Sequence, residues 1–162
     1  MNLRTDFDSL QIETRELIDS NAWLPHVNKK HYTGEWQVLA LRSAGGNLKH
    51  IVADQMNETA FIDTALMDQL PSVKKFTANL ECPVMSVRLL NLKSGAIIKP
   101  HRDFDLCFEK GEARIHLPIF TNEAVEFILD EERLLMKEGE CWYINANLSH
   151  SVANYGRTDR LH

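Results

Sequence analysis

The amino-acid sequence predicts a mainly β domain preceded by helices, and three observations support this fold class. From Cys82 onward, short apolar runs alternate with short polar turns, at the spacing typical of a sandwich, barrel or jelly roll. Before Cys82, apolar side chains recur at helical spacing in two stretches. The 162 residues suffice for one sizeable core. We therefore predict one domain over residues 1–162, in which a helical and mixed part over 1–80 packs on a β core over 81–162.

The first predicted element is a helix near the start of the chain. Apolar side chains recur at helical spacing from Phe7 to Ile18, and Asp6 or Asp8 is the predicted N-cap. Residues 21–30 have no clear period and contain a proline, which indicates a loop.

A strand and a second helix are predicted next. Trp36–Arg42 is rich in apolar residues and ends at the turn signal Ser43–Asn47, which is typical of a strand. Glu58–Leu70 carries apolar side chains along one stripe, and Pro71 stands just past its end, which predicts a helix.

The β half is predicted from its alternating or short apolar runs, each bounded by Gly, Asn, Asp or Ser. The predicted strands are Val84–Leu92, Ile97–Asp103, Ala113–Phe120, Val125–Leu129, Leu134–Met136, Cys141–Asn145, Ser149–Asn154 and a last run that starts at Arg160.

Composition excludes several classes of function. Eighteen basic residues against 23 acidic ones give a net charge of −5, which argues against binding to nucleic acid or to anionic membranes. The three cysteines form no C-x-x-C pair, so neither a disulfide framework nor a zinc ribbon is expected. The odd, sparse set of cysteines predicts a reducing, cytoplasmic compartment. The chain begins without an apolar signal core and has no long uncharged apolar window, so we expect no membrane anchor.

Ionisable residues spaced two apart mark the predicted strands. Side chains two apart lie on the same face of a strand, so each pair places two polar groups on one side. Inside a barrel such groups are costly unless a metal and an anion balance them. The pairs are His101 with Asp103, Arg114 with His116, and Arg160 with His162.

The spacing H-x-D followed by a distant histidine indicates a metal site. His101, Asp103 and His150 match the 2-His-1-carboxylate triad, which leaves open positions on Fe(II). Taken singly, the plainer explanations are favoured, namely Arg114 as a partner in a surface ion pair, and His116 and His150 as core histidines. Five such residues on matching strand faces favour a combined metal and anion site.

The motifs of the second half together resemble one known family. The matching stretches are Ser86–Leu89, Leu92–Ile97, His101–Asp103, Ala113–Ile119, Gly139–Asn145, His150–Asn154 and Arg160–His162. Residues from about Cys82 to His162 closely resemble the aspartyl/asparaginyl β-hydroxylase family of Fe(II)- and 2-oxoglutarate-dependent oxygenases. The resemblance implies a double-stranded β-helix, the cupin-like jelly roll, with the N-terminal helices packed outside one sheet. It also implies that the cosubstrate is decarboxylated to succinate while a C–H bond is hydroxylated.

The resemblance also assigns roles to residues. It makes His101, Asp103 and His150 the iron ligands, and Arg160 the partner of the distal carboxylate of 2-oxoglutarate. It implies that Arg114 and His116 bind carboxylates of the cosubstrate or of the substrate, with the choice left open. Arg88 is placed on the pocket face by the parity of its strand and is assigned to cofactor binding with them.

The expected function is therefore hydroxylation of an amino acid, an Asp/Asn-type peptide side chain or a related anionic small molecule. Molecular oxygen is the further partner, and neither nucleic acid nor membrane is expected. The alternative is a non-catalytic cupin-like module that binds a metal or ligand. The family's jelly roll has a strand running through and beyond Arg160–His162, so we expect either that the native chain continues or that the barrel is completed by other means.

Overall fold

The computed structural model describes residues 3–19, 23–52 and 59–162. The described residues belong to two compact units. These are Met1–Pro25 with Val38–Leu90, and His26–Gln37 with Asn91–His162. The prediction of a single domain over 1–162 stays a prediction. Among the described helices, none combines the length and the apolar character needed to cross a membrane.

The two described α-helices lie in the first half of the chain, and strands dominate the second half. The α-helices are α1 (Leu3–Ile18) and α2 (Pro71–Ala78). The strands are β1 (Leu24–Pro25), β2 (Tyr32–Thr33), β3 (Trp36–Ala44), β4 (Phe61–Asp63), β5 (Val87–Leu92), β6 (Ile97–His101), β7 (Arg114–His116), β8 (Val125–Leu129), β9 (Glu132–Leu134), β10 (Trp142–Ile144), β11 (His150–Asn154) and β12 (Arg160–Leu161). Single 3₁₀ turns lie at Lys29–His31, Met67–Gln69 and Phe108–Lys110.

Helix α1 confirms the first predicted helix. Its buried stripe is formed by Leu10, Thr14 and Leu17, the positions that helical spacing places on one face. The helix begins at Leu3, so the predicted N-cap at Asp6 or Asp8 is wrong, because both positions lie inside the helix.

The predicted helix over Glu58–Leu70 is wrong. Its described part forms β4, a bend and a 3₁₀ turn, and the helix starts instead at Pro71; Glu58 itself lies outside the described residues. Proline suits the first helical position because its φ is fixed and its missing N–H needs no partner there. Strand β4 exists because β3 pairs with it, and the Arg42 guanidinium binds the Asp63 carboxylate at 2.8 Å.

The second unit is built from antiparallel sheets. Its larger sheet has the order β2-β6-β11-β8-β9, β7 pairs with β10, and β12 pairs with Asn91 and Leu92 at the end of β5. The mainly β fold with N-terminal helices is confirmed, and its antiparallel sheets are consistent with a jelly roll. Strand β7 is shorter than predicted because Pro118 cannot donate to a ladder. The buried residues of this unit include Leu92, Ile98, Ile119, Phe127, Ile144, Val152 and Leu161.

A glycine fixes the approach of β2 to β6, the strand that carries His101. Gly34 has φ +76°, and a Cβ on it would lie 2.8 Å from Ala96 Cα. Gly95 has nearly the same φ, +78°, but open space where its Cβ would be. We expect Gly95→Ala to cost about 1–2 kcal/mol of unfolding free energy for the left-handed backbone alone. Gly34→Ala adds overpacking of roughly 1–3 kcal/mol to that cost. Urea denaturation of both variants checks this, and equal losses would contradict it.

Candidate metal centre

His101 and His150 meet across two neighbouring strands. They are direct partners in the antiparallel pairing of β6 with β11, and their ring centroids are 4.2 Å apart. The register shifts between His150 and Val152. Such a bulge re-aims side chains locally. The pairing thus places two imidazoles side by side at the end of β6.

Asp103 joins the two histidines through a turn. It lies two residues beyond the end of β6, and its N–H donates to the Ala146 carbonyl at 2.9 Å. Its Oδ2 lies 3.9 Å from His150 Nε2. One possible ligand atom from each of His101, Asp103 and His150 lies within 4.8 Å of the others. The three residues predicted to form a facial triad therefore come together.

Backbone carbonyls orient both imidazoles. His101 Nδ1 lies 2.8 Å from the Lys99 carbonyl, and His150 Nδ1 lies 3.0 Å from the Leu148 carbonyl. A carbonyl only accepts, so each Nδ1 carries the proton and each Nε2 keeps its lone pair. Histidines that bind metals typically donate their other ring N–H to such an acceptor.

The charge states at the centre suit a divalent cation. Burial raises the pKa of Asp103, but Arg114 and the two histidines outweigh this and hold the pKa below its ordinary value. Burial lowers the pKa of His150. The carboxylate is therefore ionised and His150 is neutral near pH 7, as metal ligands must be. Two imidazoles and one carboxylate with open positions are the donor set of non-haem Fe(II) oxygenases.

Arg114 contacts a metal-ligand candidate directly. Its Nη1 donates to Asp103 Oδ2, in an ion pair whose side chains are 27 % and 32 % exposed. The sequence predicted that Arg114 binds carboxylates of the cosubstrate or substrate. The pairing with Asp103 was missed, because the turn after β6 that brings the two together leaves no periodic signal in the sequence.

Arg160 is a buried cation at the end of the chain segment described. It is 3 % exposed, its Nη2 lies 2.9 Å from His162 Nδ1, and its Nε has no hydrogen-bond partner among the described residues. Burial lowers the pKa of Arg160 to about 9, so the guanidinium still carries its charge at neutral pH. A buried charge without a counter-ion is costly, which makes this position a ready binding site for an anion.

Phe127 contacts both Arg160 and one of the candidate metal ligands, His150. Its buried ring lies parallel to the His150 ring at 6.4 Å between centroids, and Arg160 Cζ lies 5.7 Å from its centroid. The His116 ring meets Phe127 edge-on at 5.9 Å and His162 at 6.0 Å. Phe127 was not predicted as a site residue, although its position on the inward face of β8 was the available signal.

Arg88 is the remaining predicted site residue. It lies on β5 in the first unit, where its Nη1 donates to the Ile51 carbonyl at 2.8 Å. Its assignment to cofactor binding stays a prediction.

Acidification should destabilise the protein through His162. Burial, together with the charges of Arg160 and His116, holds the pKa of His162 well below 6.5. The unfolded chain binds a proton on this histidine below about pH 6.5, whereas the folded chain does not. The free energy of unfolding should therefore fall as the pH drops through that value. Urea denaturation at about pH 7.5 and about pH 5.5 measures the fall. His162→Leu should reduce it and His50→Ala, at an exposed histidine, should not; an equal fall in the wild type and His162→Leu would contradict this.

Comparison with known proteins connects this geometry to a family. The family model described as aspartyl/asparaginyl β-hydroxylase matches residues 4–162. The L-proline cis-4-hydroxylase of Rhizobium meliloti (strain 1021) is 29 % identical over 131 residues, which cover 80 % of this chain and 46 % of that protein. The L-proline cis-3-hydroxylase 2 of a Streptomyces species is 26 % identical over 131 residues, which cover 78 % of this chain and 45 % of that protein. The chain thus spans about half the length of these curated relatives.

A solved structure also resembles the chain. It is the crystal structure of a predicted oxalate decarboxylase from Thermotoga maritima, with a TM-score of 0.40 and 14 % sequence identity. The match covers 86 % of this chain and 85 % of that one.

Proposed function

The chain belongs to the aspartyl/asparaginyl β-hydroxylase family, and we propose that it acts as an Fe(II)- and 2-oxoglutarate-dependent dioxygenase that hydroxylates an amino acid. The observation that carries this proposal is the cluster of His101, Asp103 and His150 together with Arg160, a buried guanidinium whose Nε has no hydrogen-bond partner among the described residues. A metal ligand set alone fits many proteins. Here Phe127 contacts both a candidate metal ligand, His150, and the candidate anion-binding residue, Arg160. This arrangement fits a cosubstrate that binds the metal at one end and carries a carboxylate at the other.

His101, Asp103 and His150 would hold the iron. Three features support this fit. Backbone carbonyls accept from both Nδ1 atoms and so leave each Nε2 lone pair available, the carboxylate is ionised, and the ligand atoms lie within 4.8 Å of one another. Bound Fe(II), with 2-oxoglutarate and oxygen, supplies the oxidant that converts C–H to C–OH while the cosubstrate is cleaved to succinate and carbon dioxide. The protein side chains fix the geometry in which this happens.

Arg160 would bind the distal carboxylate of 2-oxoglutarate. The guanidinium offers a planar set of donors that matches a carboxylate, and its Nε is free of other partners among the described residues. Phe127 and the surrounding apolar core exclude water from this pair, which strengthens the attraction between the charges. Binding of the anion would remove the cost of the unpaired buried charge.

Arg114 and His116 would bind the remaining carboxylates. Arg114 uses one of its five N–H donors for Asp103, which leaves others for a carboxylate of the cosubstrate or of the amino-acid substrate. His116 lies between Phe127 and His162, close to the anion site. An amino acid is favoured as the substrate because the curated relatives are L-proline hydroxylases.

The test is formation of succinate from 2-oxoglutarate by the intact protein loaded with Fe(II) under anaerobic conditions and then exposed to oxygen. We expect succinate release that depends on iron and rises with one member of an amino-acid panel that includes L-proline. The His101→Ala variant should release none. If the folded, metal-loaded protein binds an anion but releases no succinate, the non-catalytic module replaces this proposal.

A further inference from the structure

We propose that a basic rim beside the candidate metal centre draws small carboxylate anions, the cosubstrate among them, toward the metal and so raises their rate of association. The rim is formed by four cationic side chains of the second unit, Lys29, Lys30, Lys99 and Arg102. The inference rests on the proposed function for the identity of the cosubstrate, and on the structure for the position and charge of the rim.

Contacts with His101 place the rim at the metal centre. The 3₁₀ turn Lys29–His31 leads into β2, which pairs with β6. The His31 ring meets the His101 ring edge-on, with the centroids 6.0 Å apart. Lys99 Nζ donates to the Lys30 carbonyl at 3.2 Å, and the Lys99 carbonyl lies 2.8 Å from His101 Nδ1. The lysines of the rim therefore lie on the two segments that meet at His101.

The metal centre is more exposed on the side of these segments. The His150 side chain is 7 % exposed, whereas that of Asp103 is 32 % exposed and His101 is half-buried. Arg102 stands between His101 and Asp103 in the chain and is exposed. An anion from solvent therefore approaches the metal past His101 and Asp103, where the rim lies.

The charge of the rim is opposite to that of the rest of the chain. Residues 26–34 and 97–102 contain four lysines or arginines and no aspartate or glutamate, which leaves 14 basic and 23 acidic residues elsewhere. All four rim side chains are exposed, and none forms an ion pair with a carboxylate of the described residues. The rim is thus an uncompensated positive patch on a protein of negative net charge.

Such a patch changes association rates more than it changes the lifetime of a complex. An exposed ion pair on a long side chain contributes little to equilibrium binding. The combined field of several like charges acts over a longer range, and raises the association rates of oppositely charged ligands by about 10- to 1000-fold. Salt removes the effect, since the Debye length falls from about 30 Å at 0.01 M to about 3 Å at 1 M ionic strength. A dianion such as 2-oxoglutarate therefore responds strongly to the rim at low salt.

The experiment measures association rates rather than turnover. The intact protein is loaded with Co(II) under anaerobic conditions and mixed with 2-oxoglutarate in a stopped-flow instrument, and the visible absorption of Co(II) reports binding. We expect Lys30→Glu/Lys99→Glu to lower the association rate constant about 10-fold at 0.01 M ionic strength, because two rim charges are reversed. The difference should vanish at 1 M, and the dissociation rate constant should not change. Lys29→Glu, at an exposed side chain, should give a smaller fall in the same direction.

The matched control is Arg133→Glu/Arg157→Glu, which makes the same change in net charge at two exposed arginines outside the rim. Arg133 lies on β9, at the edge of the larger sheet opposite β2, and Arg157 lies beyond the end of β11 that is away from His150. We expect this variant to associate with 2-oxoglutarate at a rate close to that of the wild type. Circular dichroism and thermal unfolding confirm that each variant is folded.

The outcomes separate this inference from the proposed function. Equal association rates at low salt in the wild type and Lys30→Glu/Lys99→Glu, equal losses in the rim and control variants, or a change confined to dissociation would overturn the rim alone. If the Co(II)-loaded wild type does not bind 2-oxoglutarate, the proposed function fails. The same measurements with oxalate, a dianion that chelates metal ions without being a cosubstrate, then test the rim by itself. Absence of oxalate binding, or oxalate rates that do not depend on the rim charges, would overturn the inference as well.

Discussion

His150→Ala is expected to lower the affinity for divalent metal by at least about 100-fold. Replacing a residue that only hydrogen-bonds to a metal ligand already lowers metal affinity by about 10–100-fold. His150 is a direct ligand in this account, with its Nε2 turned toward Asp103 and its Nδ1 held by the Leu148 carbonyl. Titration with Co(II), followed by its visible absorption, measures the affinity and reports the ligand geometry. His101→Ala should behave in the same way.

The matched control for this prediction is His50→Ala. His50 is an exposed histidine of the first unit, and its Nδ1 lies 3.0 Å from the Ala44 carbonyl. It is therefore a histidine with a similar backbone contact that does not belong to the cluster of His101, Asp103 and His150. We expect its Co(II) affinity to equal that of the wild type. Metal binding retained in His150→Ala and His101→Ala would show that the cation is held elsewhere.

Arg160→Gln is expected to weaken binding of 2-oxoglutarate by about 30- to 1000-fold, since a buried charge-assisted pair contributes on the order of 2–4 kcal/mol. The same variant should lose no stability without the ligand, because the unpaired buried charge is removed. Arg157→Gln, at an exposed arginine of the same segment, is the control and should leave binding unchanged. Calorimetry gives the dissociation constants, and urea denaturation gives the stability. An unchanged dissociation constant in Arg160→Gln would remove Arg160 from the site.

The cluster of His101, Asp103 and His150 could be predicted from the sequence because local spacing limits the positions of these residues. His101 and Asp103 are close in any backbone conformation, and His150 needs only to lie on the neighbouring strand. The reason given for Asp103 was incomplete, however. It does not share a strand face with His101, since β6 ends at His101 and a turn brings the carboxylate back. The pattern thus identified the residues, whereas the turn determines the geometry.

The contacts around the ligands could not be predicted, because they depend on pairing between distant strands. The Asp103–Arg114 pair joins the turn after β6 to β7, and the Phe127–His150 contact joins β8 to β11. Neither has a periodic signature. The second helix was predicted in the wrong place for the same reason. Phe61 begins the apolar stripe that indicated a helix, but pairing with the distant strand β3 makes Phe61–Asp63 a strand.

The most direct test of the account is the product of the reaction. The intact protein, loaded with Fe(II) and supplied with 2-oxoglutarate and ¹⁸O₂, is incubated with a panel of amino acids that includes L-proline, and products are analysed by mass spectrometry. We predict one amino acid that gains a single ¹⁸O-labelled hydroxyl group in equal amount to the succinate formed, and no such product in His150→Ala. A folded, metal-loaded protein that converts no 2-oxoglutarate and hydroxylates no amino acid would contradict the account.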